Sequence, residues 1–275
     1  MIRDLIKAAR VLKPPKIVLF DWHATLVDTL DAMYMAVDEI LPRLPELGLI
    51  DDLSPPTRSR SAEDARLIDY VRTYGRLHPK IRAERRISRT DIFEILFGAN
   101  EDAKHIAHAA FNEAYRRHYG DVRPFEGGEL ALLKELREFD VKIGVLTNRD
   151  REFFENELMA VENGAWQSLF DITVCGGDTF RRKPNPEPIL KALENLRQPA
   201  DPACWYLGDS STDVTCSCRA GVSPVFFNGA GWDHTWLDKV FPGTPAHPYQ
   251  PMAIVDTFAD FRWLFEECLS IKHRN

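Results

Sequence analysis

A small set of side chains in this chain has the types and spacing of one reaction centre. Asp21 opens the string Asp21-Trp-His-Ala-Thr25, directly after the apolar run Ile17-Val-Leu-Phe20. Thr147 and Asn148 end the run Lys142-Ile-Gly-Val-Leu146. Lys183 begins Lys183-Pro-Asn-Pro186, and Asp209 and Asp213 follow Trp205-Tyr-Leu-Gly208. Each polar group sits where an apolar run stops, and in open α/β sheets ligands bind beyond the carboxyl ends of the strands.

The chemistry such a set could perform is attack on phosphorus. A carboxylate nucleophile needs in-line access and a dication that neutralises the phosphoryl oxygens. Asp21 fits the nucleophile, and Asp209 offers a second hard oxygen of the kind Mg2+ takes. Asp213 turns back toward the same spot if a helix starts near Ser211, where it would orient the metal's water ligands. Thr147 offers a hydroxyl, and Asn148 an amide, to phosphoryl oxygens. Lys183, stiffened by Pro184 and Pro186, offers a fixed cation. Backbone N–H groups of Trp22 and His23 would complete the phosphate cradle. Taken singly, each has a plainer reading: a strand-end cap for Asp21, a turn for Thr147-Asn148, a loop lysine for Lys183, a helix N-terminal acid for Asp213.

The elements that must position these groups are legible as patterns. Short apolar runs at Ile17–Phe20, Ile143–Leu146, Ile172–Cys175, Trp205–Leu207, Val225–Phe227 and Ala253–Val255 predict strands. From the second onward they alternate with helical periodicity over Leu130–Arg137, Glu152–Val161, Glu187–Leu196, Asp213–Ala220 and Phe258–Leu269. That alternation predicts an α/β fold, a Rossmann-like parallel sheet with helices on both faces. Between Leu26 and Arg123 no strand stands out, and helical periodicity covers Leu30–Leu41, Ser61–Tyr74, Asp91–Phe97 and Glu101–Tyr119. We therefore expect a core of residues 1–26 plus 124–275 and an inserted all-helical cap over 27–123. Pro124, Gly127 and Gly128 mark the return crossing as a candidate hinge. The charged and apolar N-terminus, Met1–Arg10, reads as an amphipathic helix packed on its own domain.

Composition narrows the function classes. With 275 residues, 44% hydrophobic, the chain supports a large core without covalent staples. A net charge of −7 gives no nucleic-acid footprint, and no apolar run approaches the length of a membrane span. Five cysteines without metal-ligand spacing point to a reducing cytoplasm.

The four motifs in order resemble the haloacid dehalogenase-like superfamily. Its first motif reads DxDGT, matched by Asp21-Trp-His23-Ala-Thr25. Its second is the hydroxyl after a strand (Thr147), its third a lysine before Pro-x-Pro (Lys183), and its fourth GDxxxD (Gly208-Asp209-Ser-Ser-Thr-Asp213). Arg123-Pro-Phe-Glu-Gly127 resembles the second hinge of its phosphoglycolate-phosphatase-like members. The resemblance implies hydrolysis of a small phosphorylated metabolite with Mg2+ through an aspartyl-phosphate on Asp21. It also implies a metal set of Asp21, the backbone carbonyl of residue 23, Asp209 and Asp213.

Two adjacent positions depart from that pattern. His23 stands where the superfamily's phosphatases carry an aspartate general acid/base, its phosphonatases alanine and its dehalogenases tyrosine, and Ala24 replaces the usual glycine. Imidazole can serve as acid or base near neutral pH. The alternative is a binding or regulatory protein that keeps the fold and has lost turnover. A dehalogenase would not need Asp209. A phosphonatase would need a cap lysine, and the insert offers only Lys80 and Lys104, neither at a matching place. Arg76, Lys80, Arg82, Arg85, Arg86 and Arg89 crowd one stretch of the insert. They read either as contacts to an acidic substrate or as a solvated face.

Overall fold

The structure, a computed structural model, describes residues 2–59, 61–84, 87, 89–118, 122–245 and 247–274. Its strands are β1 (Ile17–Phe20), β2 (Val27–Asp28), β3 (Arg123–Pro124), β4 (Lys142–Leu146), β5 (Ile172–Val174), β6 (Cys204–Gly208), β7 (Ser223–Phe227) and β8 (Ala253–Val255). The helices are α1 (Ile2–Val11), α2 (Leu30–Ile40), α3 (Ala62–Tyr74), α4 (Pro79–Glu84), α5 (Arg89–Phe97), α6 (Glu101–Tyr115), α7 (Glu129–Glu138), α8 (Arg151–Ala160), α9 (Glu187–Asn195), α10 (Ser211–Ala220), α11 (His234–Val240) and α12 (Phe258–Arg274).

Six strands form one parallel sheet in the order β5-β4-β1-β6-β7-β8. β1 is wholly buried because it is covered on both faces, which is why its sequence is an unbroken apolar run. Val18 and Phe20 enter one core with Val145, Trp205, Leu207, Phe261 and Phe265. Ile17 and Leu19 enter the other with Leu146, Tyr206, Ile189 and Leu193. α1 adds Leu5, Ala8 and Ala9 to the first of these, joined by Leu12 just past its end, and lies against α12. Among the described residues, no helix is long and apolar enough to cross a membrane.

Register decides what meets at the sheet's edge. Phe20 pairs with Val145 on one side and Leu207 on the other. The chain therefore leaves all three neighbouring strands at nearly one level, with Asp21, Thr147 and Asp209 as the exit residues.

The fold divides into two compact units, Met1–Asp28 with Val122–Asn275, and Thr29–Asp121. The second is built from α2 to α6 around Ile40, Phe93, Phe97, Phe111 and Tyr115. Ser61 caps α3 by accepting from Asp64 N–H, and Asn100 caps α6 through Ala103 N–H. Of the basic stretch, Arg82 pairs with Asp38 at 2.8 Å and Lys80 with Glu84 at 3.6 Å. Arg89 is buried, donates to Asn112 and lies over the Phe111 ring. Arg85 and Arg86 lie outside the described residues. Lys104 is also buried, between Glu94 and Glu101 at 2.7 Å each.

Three features differ from the sequence pattern. Residues 27 and 28 are not helical but pair antiparallel with Pro124 and Arg123, braced by an Arg123–Asp28 ion pair of 2.7 Å. Two residues are too few to carry a strand period. The turn with Gly127 and Gly128, expected as a hinge, is tied down by Glu129, whose carboxylate accepts from the backbone N–H groups of Glu126, Gly127 and Gly128. The helices α4 and α11 were not anticipated, since each is two turns or less and mixes polar with apolar residues.

Candidate active site

Asp21 is the first residue past β1, and its N–H donates to Leu207 O at 2.8 Å, so the sheet's last bond fixes where it stands. The chain then turns sharply. Val27 N–H returns to Trp22 O at 3.0 Å and Ala24 N–H to Val27 O at 2.8 Å. Ala24 sits in the left-handed region, φ +59°, where a methyl group is strained. Trp22 is fully buried, edge-on to Phe154 at 5.0 Å and Trp166 at 5.8 Å.

Three carboxylates meet at this edge. Asp21, Asp209 and Asp213 each place an oxygen within 4.8 Å of the others. Thr25 Oγ1 donates to Asp209 Oδ1 at 3.3 Å. Asp213 lies in the first turn of α10, where its Oδ2 accepts from Ser210 N–H at 3.0 Å and from Ser210 Oγ at 2.6 Å. Gly208 is needed here, because a Cβ would stand 2.4 Å from Asp213 Cγ.

Lys183 ties the acids together. Its Nζ is 2.7 Å from Asp213 Oδ1, 2.8 Å from Asp21 Oδ1 and 2.8 Å from Tyr206 Oη. With Leu146 O at 3.3 Å as a fourth acceptor, the three N–H groups of the ammonium are fully engaged, so a phosphoryl oxygen would take the place of one of these partners. Burial alone would lower the Lys183 pKa, but the two carboxylates overcome it and raise the group above the lysine range. Burial pushes Asp21 up to about 6, with Lys183 pulling it down and Asp213 pushing it up. Burial outweighs the single Lys183 charge, which is shared with Asp213, so the Asp21 shift runs opposite to that of a simple ion pair. A bound dication would draw it down again.

Thr147 N–H donates to Val174 O at 2.9 Å, and its Oγ1 accepts from Arg149 N–H at 3.1 Å. Asn148, expected at the phosphate, also has its side-chain amide on the Lys183 backbone. Its Nδ2 donates to Lys183 O and its Oδ1 accepts from Lys183 N–H, both at 3.0 Å. It clamps the backbone that carries the lysine. The His23 ring is not among the metal-capable side chains and instead has Nδ1 2.9 Å from Arg149 Nη2.

Tyr206, Arg149 and Glu157 were not singled out from the sequence. Burial and the neighbouring Asp213 and Asp21 push the Tyr206 phenol well above the tyrosine range, so it is a neutral hydroxyl. It accepts from Lys183 and can donate to Asp213 Oδ1 at 3.0 Å or Leu146 O at 3.1 Å. A tyrosine in the middle of a buried strand was the available signal, since its hydroxyl must find a partner inside. Glu157, on α8, accepts from Trp22 Nε1 at 2.8 Å and pairs with Arg149 at 3.1 Å.

Known proteins share this arrangement of elements. Residues 78–227 match the family model of haloacid dehalogenase-like hydrolases. Phosphoglycolate phosphatase of Rhodospirillum rubrum is 30% identical over 257 residues, covering 91% of this chain and 91% of that protein. PpaX of Caldanaerobacter subterraneus is 36% identical over 115 residues, and that match covers 42% of this chain and 49% of PpaX, about half its length. In fold, a hydrolase from Pseudomonas syringae superposes with a TM-score of 0.60 at 18% identity, covering 91% of this chain and 98% of that one.

Proposed function

This chain belongs to the haloacid dehalogenase-like hydrolase family, and from that premise we propose that it is a magnesium-dependent phosphatase of a small phosphorylated metabolite, working through an aspartyl-phosphate on Asp21. The observation that carries this reading is the convergence of Asp21, Asp209 and Asp213 on one spot beside Lys183. A donor set made only of carboxylates fits a hard dication such as Mg2+ and not a soft metal. Asp21, Asp209 and Asp213 would hold the ion, with the residue-23 carbonyl as the further ligand the family pattern implies. Bound there, it would neutralise the phosphoryl oxygens.

An Asp21 carboxylate oxygen attacks phosphorus and the bond to the leaving oxygen breaks, its electron pair departing with that oxygen. Thr147 Oγ1 and the backbone N–H groups of Trp22 and His23 bind the equatorial oxygens. Lys183 keeps Asp21 ionised and in place. A water then attacks the phosphorus of the aspartyl-phosphate, the bond to Asp21 breaks, and inorganic phosphate leaves with the carboxylate restored. His23 is the candidate acid/base that would exchange a proton with the leaving oxygen. Residues 27–123 act as the cap that selects the substrate, and the free, mostly buried cysteines fit a reducing cytoplasm.

The test is a phosphate-release screen over phosphorylated metabolites, with and without Mg2+, phosphoglycolate first because the Rhodospirillum rubrum relative is named for it. Asp21→Asn should abolish release, and undiminished turnover in that variant would falsify the assignment. The second reading, a binding protein without turnover, is favoured by His23 alone. It predicts no release from any substrate although Mg2+ still binds.

A further inference from the structure

The mechanism gives Arg149 and Glu157 no step, yet both are almost sealed from water, with 5% and 1% of their side chains exposed. From their geometry we propose that Arg149, braced by Glu157, is a positioning residue that fixes His23 as a single tautomer, proton on Nε2 and lone pair on Nδ1.

A guanidinium has five N–H donors, no acceptor, and does not deprotonate in proteins. Arg149 Nη2 lies 2.9 Å from His23 Nδ1. That separation is a hydrogen bond only when Nδ1 carries a lone pair, for otherwise two N–H groups would face each other. In a neutral imidazole the proton is then on Nε2.

Arg149 is not at liberty to turn away. Its Nη1 pairs with Glu157 Oε1 at 3.1 Å, and its backbone N–H is bonded to Thr147 Oγ1. Glu157 is held in turn, because its other oxygen accepts from Trp22 Nε1 at 2.8 Å. One glutamate on α8 thus braces both the residue before His23 and the arginine that touches it. The fork geometry of arginine matters here: one side chain reaches Glu157 with one nitrogen and His23 with the other, which the single nitrogen of a lysine does not do. The proton that His23 carries is therefore the one on Nε2.

The test reads the proton directly and is independent of turnover, so it can fail while the proposed function stands, and the reverse. Long-range 1H–15N correlation spectra of the 15N-labelled full chain are recorded at neutral pH, with His23→Gln used only to assign the signal. The expected wild-type spectrum shows Nε2 protonated and Nδ1 bare. In the pair Arg149→Met with Glu157→Gln, which removes both buried charges together, the two nitrogens should shift toward averaged values. Arg149→Lys keeps Glu157 paired and should show the same averaging, which guards against a double variant that does not fold. A wild-type His23 with its proton on Nδ1, or already averaged, overturns the proposal. So does an unchanged pattern in the variants.

Discussion

Lys183 serves two carboxylates with one charge, and much of the site's behaviour follows from that shortage. Replacing it, as in Lys183→Met, leaves Asp21 and Asp213 facing each other with no cation. Breaking a buried pair in this way costs about 3–5 kcal/mol. Urea unfolding should register that loss in Mg2+-free buffer and a smaller one with Mg2+ present, and an unchanged midpoint would show that the lysine does not hold the acids. Ala24 carries a different strain. Its φ of +59° is natural only for glycine, so Ala24→Gly should raise stability by about 1 kcal/mol. A lower unfolding midpoint in that variant would contradict the strained turn. At this scale the acids, Thr147 and Lys183 were legible because each ends an apolar run or precedes a stiffening proline. Arg149, Glu157 and Tyr206 were not, because their roles come from residues far away in sequence: Glu157 reaches Trp22 and Tyr206 reaches Lys183. That the Asn148 amide spans to the Lys183 backbone was not legible either, because nothing local shows it.

Strand β6 and helix α10 form a single device that delivers two acids. Gly208 lets α10 start so close to the strand that Asp213 lies against the Gly208 backbone, and Ser210 then pins Asp213 Oδ2. Gly208→Ala drives a methyl into Asp213, which is bonded at both oxygens and has nowhere to retreat. We expect it to cost about 1–3 kcal/mol of stability. We also expect Mg2+ affinity by calorimetry to fall at least tenfold, and wild-type affinity would mean Asp213 takes no part in the metal site. The six strands of the main sheet were readable because burial on both faces leaves apolar runs, as in β1 and in Ile143–Leu146 of β4. The β2–β3 pair, α4 and α11 were not, because a two-residue ladder or a two-turn helix has no period to detect.

The whole molecule holds its thiols in the neutral state. Burial pushes Cys175, Cys204, Cys216 and Cys268 up to about 12, and raises Cys218 as well. Thiolate is the reactive form, so alkylation of the folded protein at pH 8 should be slow, with half-buried Cys218 the first to react. All five should react quickly in urea. Fast labelling of Cys216 in the folded protein would contradict this packing. The same shifts set an alkaline limit. The fold favours the protonated thiols, so their contribution is full below the unfolded value of 9.0 and is lost as pH rises from there toward about 12. The family and the α/β core follow from motif order and strand alternation, whereas substrate choice is a matter of surfaces that no motif encodes. The proposed covalent step at Asp21 can be caught in the act. Protein quenched during turnover with Mg2+ and a hydrolysed substrate is reduced with borohydride, which converts an acyl phosphate to an alcohol, and its peptides are sequenced by mass spectrometry. Homoserine is expected at position 21, only when substrate and Mg2+ are both present. Sustained phosphate release with Asp21 recovered intact, or with the alcohol at another acid, would contradict it.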